Sequence, residues 1–199
     1  MATKNLWLQR SRRTGISLIE SLVAVTITAI AGTALFSAIG ASLGASYSTL
    51  NKSIGAGLAN QMLDELTAVR FPTADDTRPT SSGTRSSFND LDDYQNWSST
   101  PPAHKNGISL GNSMLTVLDT YPISRPSLLK PDSDFLSRLT REVSVERIRH
   151  DARSGWIVTN DQTDYRRIIV KIKLRASANL PSHEIAEATR IFSYVPLSP

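Results

Sequence analysis

Residues 12–32 read RRTGISLIESLVAVTITAIAG. Two arginines and a glycine open onto an apolar run that carries one carboxylate, Glu20, five residues beyond Gly15. From Ile16 to Leu50, Glu20 is the only formally charged residue. A helix that crosses a bilayer needs about 20 mainly apolar residues, and this run is longer. It is rich in Ala, Ser, Thr and Gly, and small side chains let helices approach one another closely inside a membrane. The arginines stand just ahead of the run. Positive-inside bias therefore puts the N-terminus in the cytoplasm and everything after about Leu50 on the other side. A lone acid in such a segment is expensive and marks function.

Charge elsewhere excludes an obvious class. The pI of about 9.6 invites a nucleic-acid partner. However, Lys4, Arg10, Arg12 and Arg13 account for the whole formal charge of +4, so the chain beyond Gly15 is neutral. A phosphate-binding face needs clustered Lys and Arg on the folded domain, so no nucleic-acid partner is expected. Cysteine is absent, which rules out disulfides, thiolate metal sites and a lipidated cysteine anchor. His104, His150 and His183 lie far apart with no metal-binding spacing, and neither a Walker A loop nor a GxSxG elbow occurs. Asp132 with Asp134, and Asp161 with Asp164, lack the ligand pattern of a calcium loop. No catalytic residue, metal or cofactor is expected, and the chain reads as a non-enzyme.

A secretory signal would have a shorter apolar core with a small-residue cleavage site at its far end. Here the Gly15–Ile16 junction precedes the core. Gly15, Ile16 and Glu20, in that order after basic residues, resemble the class III signal of type IV prepilins and type II secretion pseudopilins. The resemblance covers the first third of the chain. It implies cleavage after Gly15 by a prepilin peptidase, N-methylation of the new Ile16 amine, and an assembly role for Glu20, whose carboxylate would neutralise that amine on a neighbouring subunit. Two charges stranded in a low-dielectric core each cost several kcal/mol, and pairing recovers much of this. The bland reading has Glu20 reaching the headgroups without a partner. No proline precedes Pro72, whereas major pilins often carry one within the apolar segment, so the resemblance favours a minor pilin or pseudopilin. Retention of Glu20 argues against the family's tip subunit that lacks this acid.

Beyond the apolar run, Leu50, Ile54, Leu58, Met62, Leu66 and Val69 recur at spacings of four and three, the stripe of one helical face. Pro72 follows and stops it. A helix from about Ile16 to Arg70 would extend roughly 80 Å, its second half presenting the stripe to a domain. The segment 58–72 also resembles the region after the anchor in minor pilins and pseudopilins. Residues 72–136 are rich in Ser, Thr, Asp, Asn, Pro and Gly and read as a variable loop region, with a short strand near Met114–Leu118, that is either a partner surface or loosely ordered. In RIIVKIKLR, residues 167–175, Ile168, Val170, Ile172 and Leu174 alternate with Arg167, Lys171, Lys173 and Arg175. Shorter strands are read around Val143–Val145, Trp156–Thr159 and Arg190–Val195. The basic row is either a solvated face or a contact to an acidic neighbour.

The expected fold is α+β and pilin-like, a long N-terminal helix packed on a small antiparallel meander. Its segments are a leader (1–15), a membrane or filament-core helix (16–50), an amphipathic helix (51–71), loops (72–136) and a sheet (137–199). The expected partners are prepilin peptidase, other pilin or pseudopilin subunits, an inner-membrane assembly platform and membrane lipid. The expected location is the inner membrane, single-pass. The rival expectation is an extracytoplasmic binding or enzymatic domain for which the helix is only a tether.

Overall fold

The computed structural model describes residues 17–72, 85–110, 133–177 and 180–195. The chain divides into two units, residues 1–48 and 49–199, with one helix passing through the boundary. Gly15, Ile16 and the strand expected near Met114–Leu118 lie outside the described residues.

Helix α1 spans Leu18–Thr67. Ser17 caps it, its Oγ accepting the Glu20 backbone N–H at 3.2 Å. At the far end Ala68 and Val69 donate to Glu65 and Leu66, three residues back, so the last turn tightens ahead of Pro72. The helix thus stops at Thr67 rather than Arg70. In the first unit it is apolar and exposed on every side: Leu18 is 86% and Phe36 76% accessible, and Leu22, Val25, Ile27 and Leu35 all exceed 60%.

The second unit is a five-stranded antiparallel sheet with the last turns of α1 on one face, an α+β layout. The strands are β1 (Trp97–Ser99), β2 (Leu139–Asp151), β3 (Gly155–Val158), β4 (Tyr165–Arg175) and β5 (Ser182–Ser193), in the order β1-β2-β4-β5 with β3 paired to β2. A short helix α2 (Ser133–Ser137) precedes β2. The alternation of β4 decides its facing: Ile168, Val170 and Ile172 are fully buried and Leu174 nearly so. Leu139, Val143 and Val145 of β2 share that face of the core.

The face of α1 that meets the sheet is rotated from the expected stripe. Its buried residues are Gly55, Ala59, Met62, Leu63 and Leu66. Ile54, Leu58 and Val69 are only partly buried at its margins, and Leu50 is 53% exposed. The reason is steric. At Ile172/Lys173 the β4–β5 register slips by one, so Ile185 and Ala186 both turn toward the helix. A Cβ at Gly55 would lie 3.0 Å from both Ala186 Cβ and Ile185 Cδ1. Small residues make the contact at Gly55 and Ala59, and Met62, Leu63 and Leu66 fill it over the last turns.

The region read as loops also enters the core. Over residues 85–110 it forms 3-10 turns at Arg85–Ser87 and Leu91–Tyr94, then β1, and it buries Phe88, Leu91 and Tyr94. Asp90 caps the second turn and Asp93 reciprocates, the Asp-x-x-Asp version of a capping box. Apolar side chains spaced three apart, not a regular periodicity, carry the burial.

Candidate functional site

Glu20 occupies the third helical position after the Ser17 cap, where a carboxylate faces the positive end of the helix dipole. That local role is worth about 0.3–1 kcal/mol. No other formal charge follows on the helix before Lys52. The hydroxyls of the apolar stretch fold back on it. Thr26 and Thr28 donate to the carbonyls of Leu22 and Ala24 at 2.8 Å, Thr33 to those of Ala29 and Ile30, and Ser46 to Ser42. In hydrocarbon, a polar group without a partner costs several kcal/mol, and these have partners inside the segment. The helix is long and apolar enough to cross a membrane. Glu20 is the exception that its own helix surface does not neutralise.

The outer face of the sheet carries the basic row of β4, and the structure pairs three of its four members, Arg167, Lys171 and Lys173, within the chain. Arg167 meets Glu146 on β2, Lys173 meets Glu142 at 2.6 Å, and Lys171 reaches Glu184 and Glu187 on β5 at 3.1 and 3.0 Å. These hydrogen-bonded carboxylates hold the Lys171 pKa above the usual lysine range, Glu187 contributing most. The acids that answer these three are therefore the chain's own.

The inner face holds arginines that alternation could have flagged, because Arg141 and Arg166 share the parity of the apolar residues in β2 and β4. Arg166 is fully buried. Its Nε donates to Asp92 Oδ1 at 2.7 Å, its Nη1 to the Thr163 carbonyl at 2.7 Å, and its guanidinium lies 5.1 Å from the Phe71 ring centre. Asp92 also takes Arg147 at 3.2 Å, so one carboxylate ties the 85–94 segment to two strands.

A second cluster is less balanced. Arg85 pairs with Glu65 of α1, donates to the Ala103 carbonyl and to Met62 Sδ, and stacks on Trp97 with 4.7 Å to the ring centre. Arg141, 1% exposed, donates to the same Ala103 carbonyl and lies 5.6 Å from the Trp97 ring centre. Burial first, and the like charge of Arg85 second, pull its pKa from 12.5 to about 10. That drop corresponds to on the order of 3 kcal/mol against the charged form. Burial likewise pushes the Tyr94 hydroxyl up, opposed by Arg85.

Exposed aromatic contacts run from the β2–β3 hairpin to the start of β4, where His150, Trp156 and Tyr165 form successive edge-on pairs at 5.2 and 5.0 Å. Among the described residues no three His, Asp or Glu side chains are placed to hold a metal. Asp161 bonds to Thr159, and Asp132 lies outside the described residues. No family model, curated protein or solved structure matches the chain.

Proposed function

We propose that the chain is a minor pilin-like structural subunit. It is held in the inner membrane as a single span with a cytoplasmic N-terminus, cleaved after Gly15 by a prepilin peptidase, and built by helix bundling into a type II secretion pseudopilus or a type IV pilus. The observation that carries this reading is Glu20, the one charge between Ile16 and Leu50 on a helix whose apolar side chains are exposed all round. Such a surface is stable in lipid or against other apolar helices and nowhere else. Cleavage creates an ammonium group at Ile16, and a neighbouring copy or sister subunit brings it to Glu20 as the helices bundle. The acid then directs docking, because the unpaired charge is costly in the membrane and relieved in the filament.

The test is made in cells carrying the assembly machinery. The mature mass is expected to begin at Ile16, Glu20→Leu is expected to abolish incorporation while leaving membrane insertion intact, and Gly15→Arg is expected to block both processing and assembly. Full function from an unprocessed Gly15→Arg protein overturns the reading.

The tethered-domain alternative draws support from the Ser17 cap, since Glu20 already has a local use at the helix start. Replacing Met1–Leu50 with the anchor of an unrelated membrane protein separates the two. A tether predicts retained function, and a filament subunit predicts loss.

A further inference from the structure

Asn106–Gly107 is the one Asn-Gly step in the chain, and every other asparagine is followed by a residue that carries a side chain. The step tops a tight turn between Pro102 and Leu110. The Leu110 N–H donates to the Pro102 carbonyl at 2.8 Å, and the His104 N–H to the Ile108 carbonyl at 2.8 Å. At the tip the Gly107 N–H donates to the His104 carbonyl at 2.9 Å, and Asn106 Oδ1 accepts the Ile108 N–H at 3.2 Å. Gly107 has a φ of 85°, a conformation that glycine adopts without strain. Lys105, Asn106 and Gly107 are exposed, and a Cβ at Gly107 would meet nothing within 4 Å. The pair is thus held by two exposed hydrogen bonds and not by burial. A segment held in this way opens locally without unfolding the domain.

We propose that Asn106 is a spontaneous modification site, converted to aspartate and isoaspartate without an enzyme whenever this turn opens. The Gly107 nitrogen, its proton taken by hydroxide, attacks Asn106 Cγ. A C–N bond forms, the side-chain nitrogen leaves as ammonia, and a five-membered succinimide ring results. Water then opens the ring at either carbonyl. One opening gives aspartate, and the other gives isoaspartate with the main chain routed through the former side chain. One water is consumed and one ammonia released. Glycine favours the step because a Cβ on the attacking residue would crowd ring closure. The folded turn restrains it, since Gly107 N and Asn106 Oδ1 are both engaged. Breaking two exposed hydrogen bonds corresponds to a reaction about 5–30-fold slower than in the unfolded chain. Either product places a new carboxylate beside Lys105. Aspartate keeps an acceptor for the Ile108 N–H, whereas isoaspartate lengthens the main chain by one carbon. The second product loosens the turn that follows Ala103, whose carbonyl Arg85 and Arg141 share.

The full chain in detergent is held at mildly alkaline pH and mapped by peptide mass spectrometry, with isoaspartate read by enzymatic carboxyl methylation. Conversion is expected at Asn106 ahead of every other asparagine, at a rate that rises with pH. The same chain unfolded in denaturant is expected to convert Asn106 about 5–30-fold faster. Gly107→Ala is expected to slow conversion, although the φ of 85° makes the substituted turn looser, because the added methyl obstructs ring closure. Earlier conversion at another asparagine overturns the proposal. So does a folded chain that stays unconverted while the unfolded chain reacts, and so does faster conversion in Gly107→Ala. Equal rates in the folded and unfolded chains overturn the restraint assigned to the turn.

Discussion

Alanine at two glycines of one helix, two residues apart, should act with opposite sign. At Gly57 an added Cβ meets nothing within 4 Å, so Gly57→Ala supplies only the helix preference, about 0.8–1 kcal/mol of stabilisation. At Gly55 the same change brings the same gain but also places a Cβ 3.0 Å from Ala186 Cβ and 3.0 and 3.1 Å from Ile185 Cδ1 and Cγ1. Ordinary contact begins at 3.4 Å. The Ile185 tip can rotate away. Ala186 Cβ cannot, because it is fixed to β5 and β5 is hydrogen-bonded to β4 along its length. Overpacking of this kind costs about 1–3 kcal/mol, so Gly55→Ala should be destabilising by up to about 2 kcal/mol after the helix gain is deducted. The two variants should therefore differ by about 1–3 kcal/mol, or roughly 3–10 °C in a domain of this size. The assay is thermal unfolding of the full chain in detergent, followed by the near-ultraviolet circular dichroism of the tryptophans and tyrosines in the second unit. Stabilisation of Gly55→Ala equal to that of Gly57→Ala would refute the docking of α1 on β5 as described.

Three further outcomes follow from the charged groups. Arg166→Met removes the buried partner that Asp92 holds at 2.7 Å and leaves that carboxylate to Arg147, and should cost about 3 kcal/mol, read from chemical unfolding midpoints. Asp90 is 2% exposed, and burial and then the neighbouring Asp93 push its pKa up. An acid whose folded pKa is raised favours the fold below its unfolded pKa and loses that contribution as pH climbs through the folded value. Asp90→Asn keeps the cap acceptor and should therefore stabilise at pH 7, with the advantage gone near pH 3; a constant offset across that range would contradict this. Lys171→Gln should lower the unfolding midpoint slightly at low ionic strength and be indistinguishable from the parent at about 0.5 M salt, since its pairs with Glu184 and Glu187 are exposed and screened.

What the sequence disclosed and what it hid divide along side-chain size. Strand β4 was legible because Ile168, Val170, Ile172 and Leu174 alternate with charges. Strand β5 was legible only over its last four residues, Arg190–Ser193, since Ala186 and Ala188 stand where large apolar residues would have marked the face toward α1 and the bulge at Ile185 breaks the alternation. The same rule turned the helical face. Of the stripe Leu50, Ile54, Leu58, Met62, Leu66 and Val69, Met62 and Leu66 are in the core and Ile54, Leu58 and Val69 pack at its margin, while Leu50 is exposed and Gly55 and Ala59 take the close contact where bulk does not fit. The segment 85–94 escaped because its two 3-10 turns are too short for periodicity, although Asp90 and Asp93 at capping spacing announced one of them. The arginines at 85, 141 and 166 escaped because charge was read as surface; parity within β2 and β4 gives the correct facing for two of the three. Glu20 stands out in the sequence by its isolation, while the Ser17 cap that places it in the first helical turn leaves no signal in the apolar pattern.

The second unit closes its core without help from the first. Every residue of the core cluster lies at or beyond Ala59, and the partly buried side chains packed on it begin at Ile54. The exposed apolar side chains from Leu18 to Leu50 are thus not a core left unfinished. Burying Leu18, Ile19, Leu22, Val25, Ile27, Ile30, Leu35 and Phe36 alone is worth on the order of 15 kcal/mol, comparable to the whole stability of a very stable domain. A chain with that surface in water would associate through it. The internally bonded Thr26, Thr28 and Thr33 make the same helix tolerable in hydrocarbon, and its small residues make it tolerable against other helices. The segment is therefore suited to both environments, and Glu20 sets them against each other. Under the filament reading proposed above, a cation on a neighbouring helix would answer this charge, and movement from lipid into the bundle would be favoured by the residue that makes lipid costly.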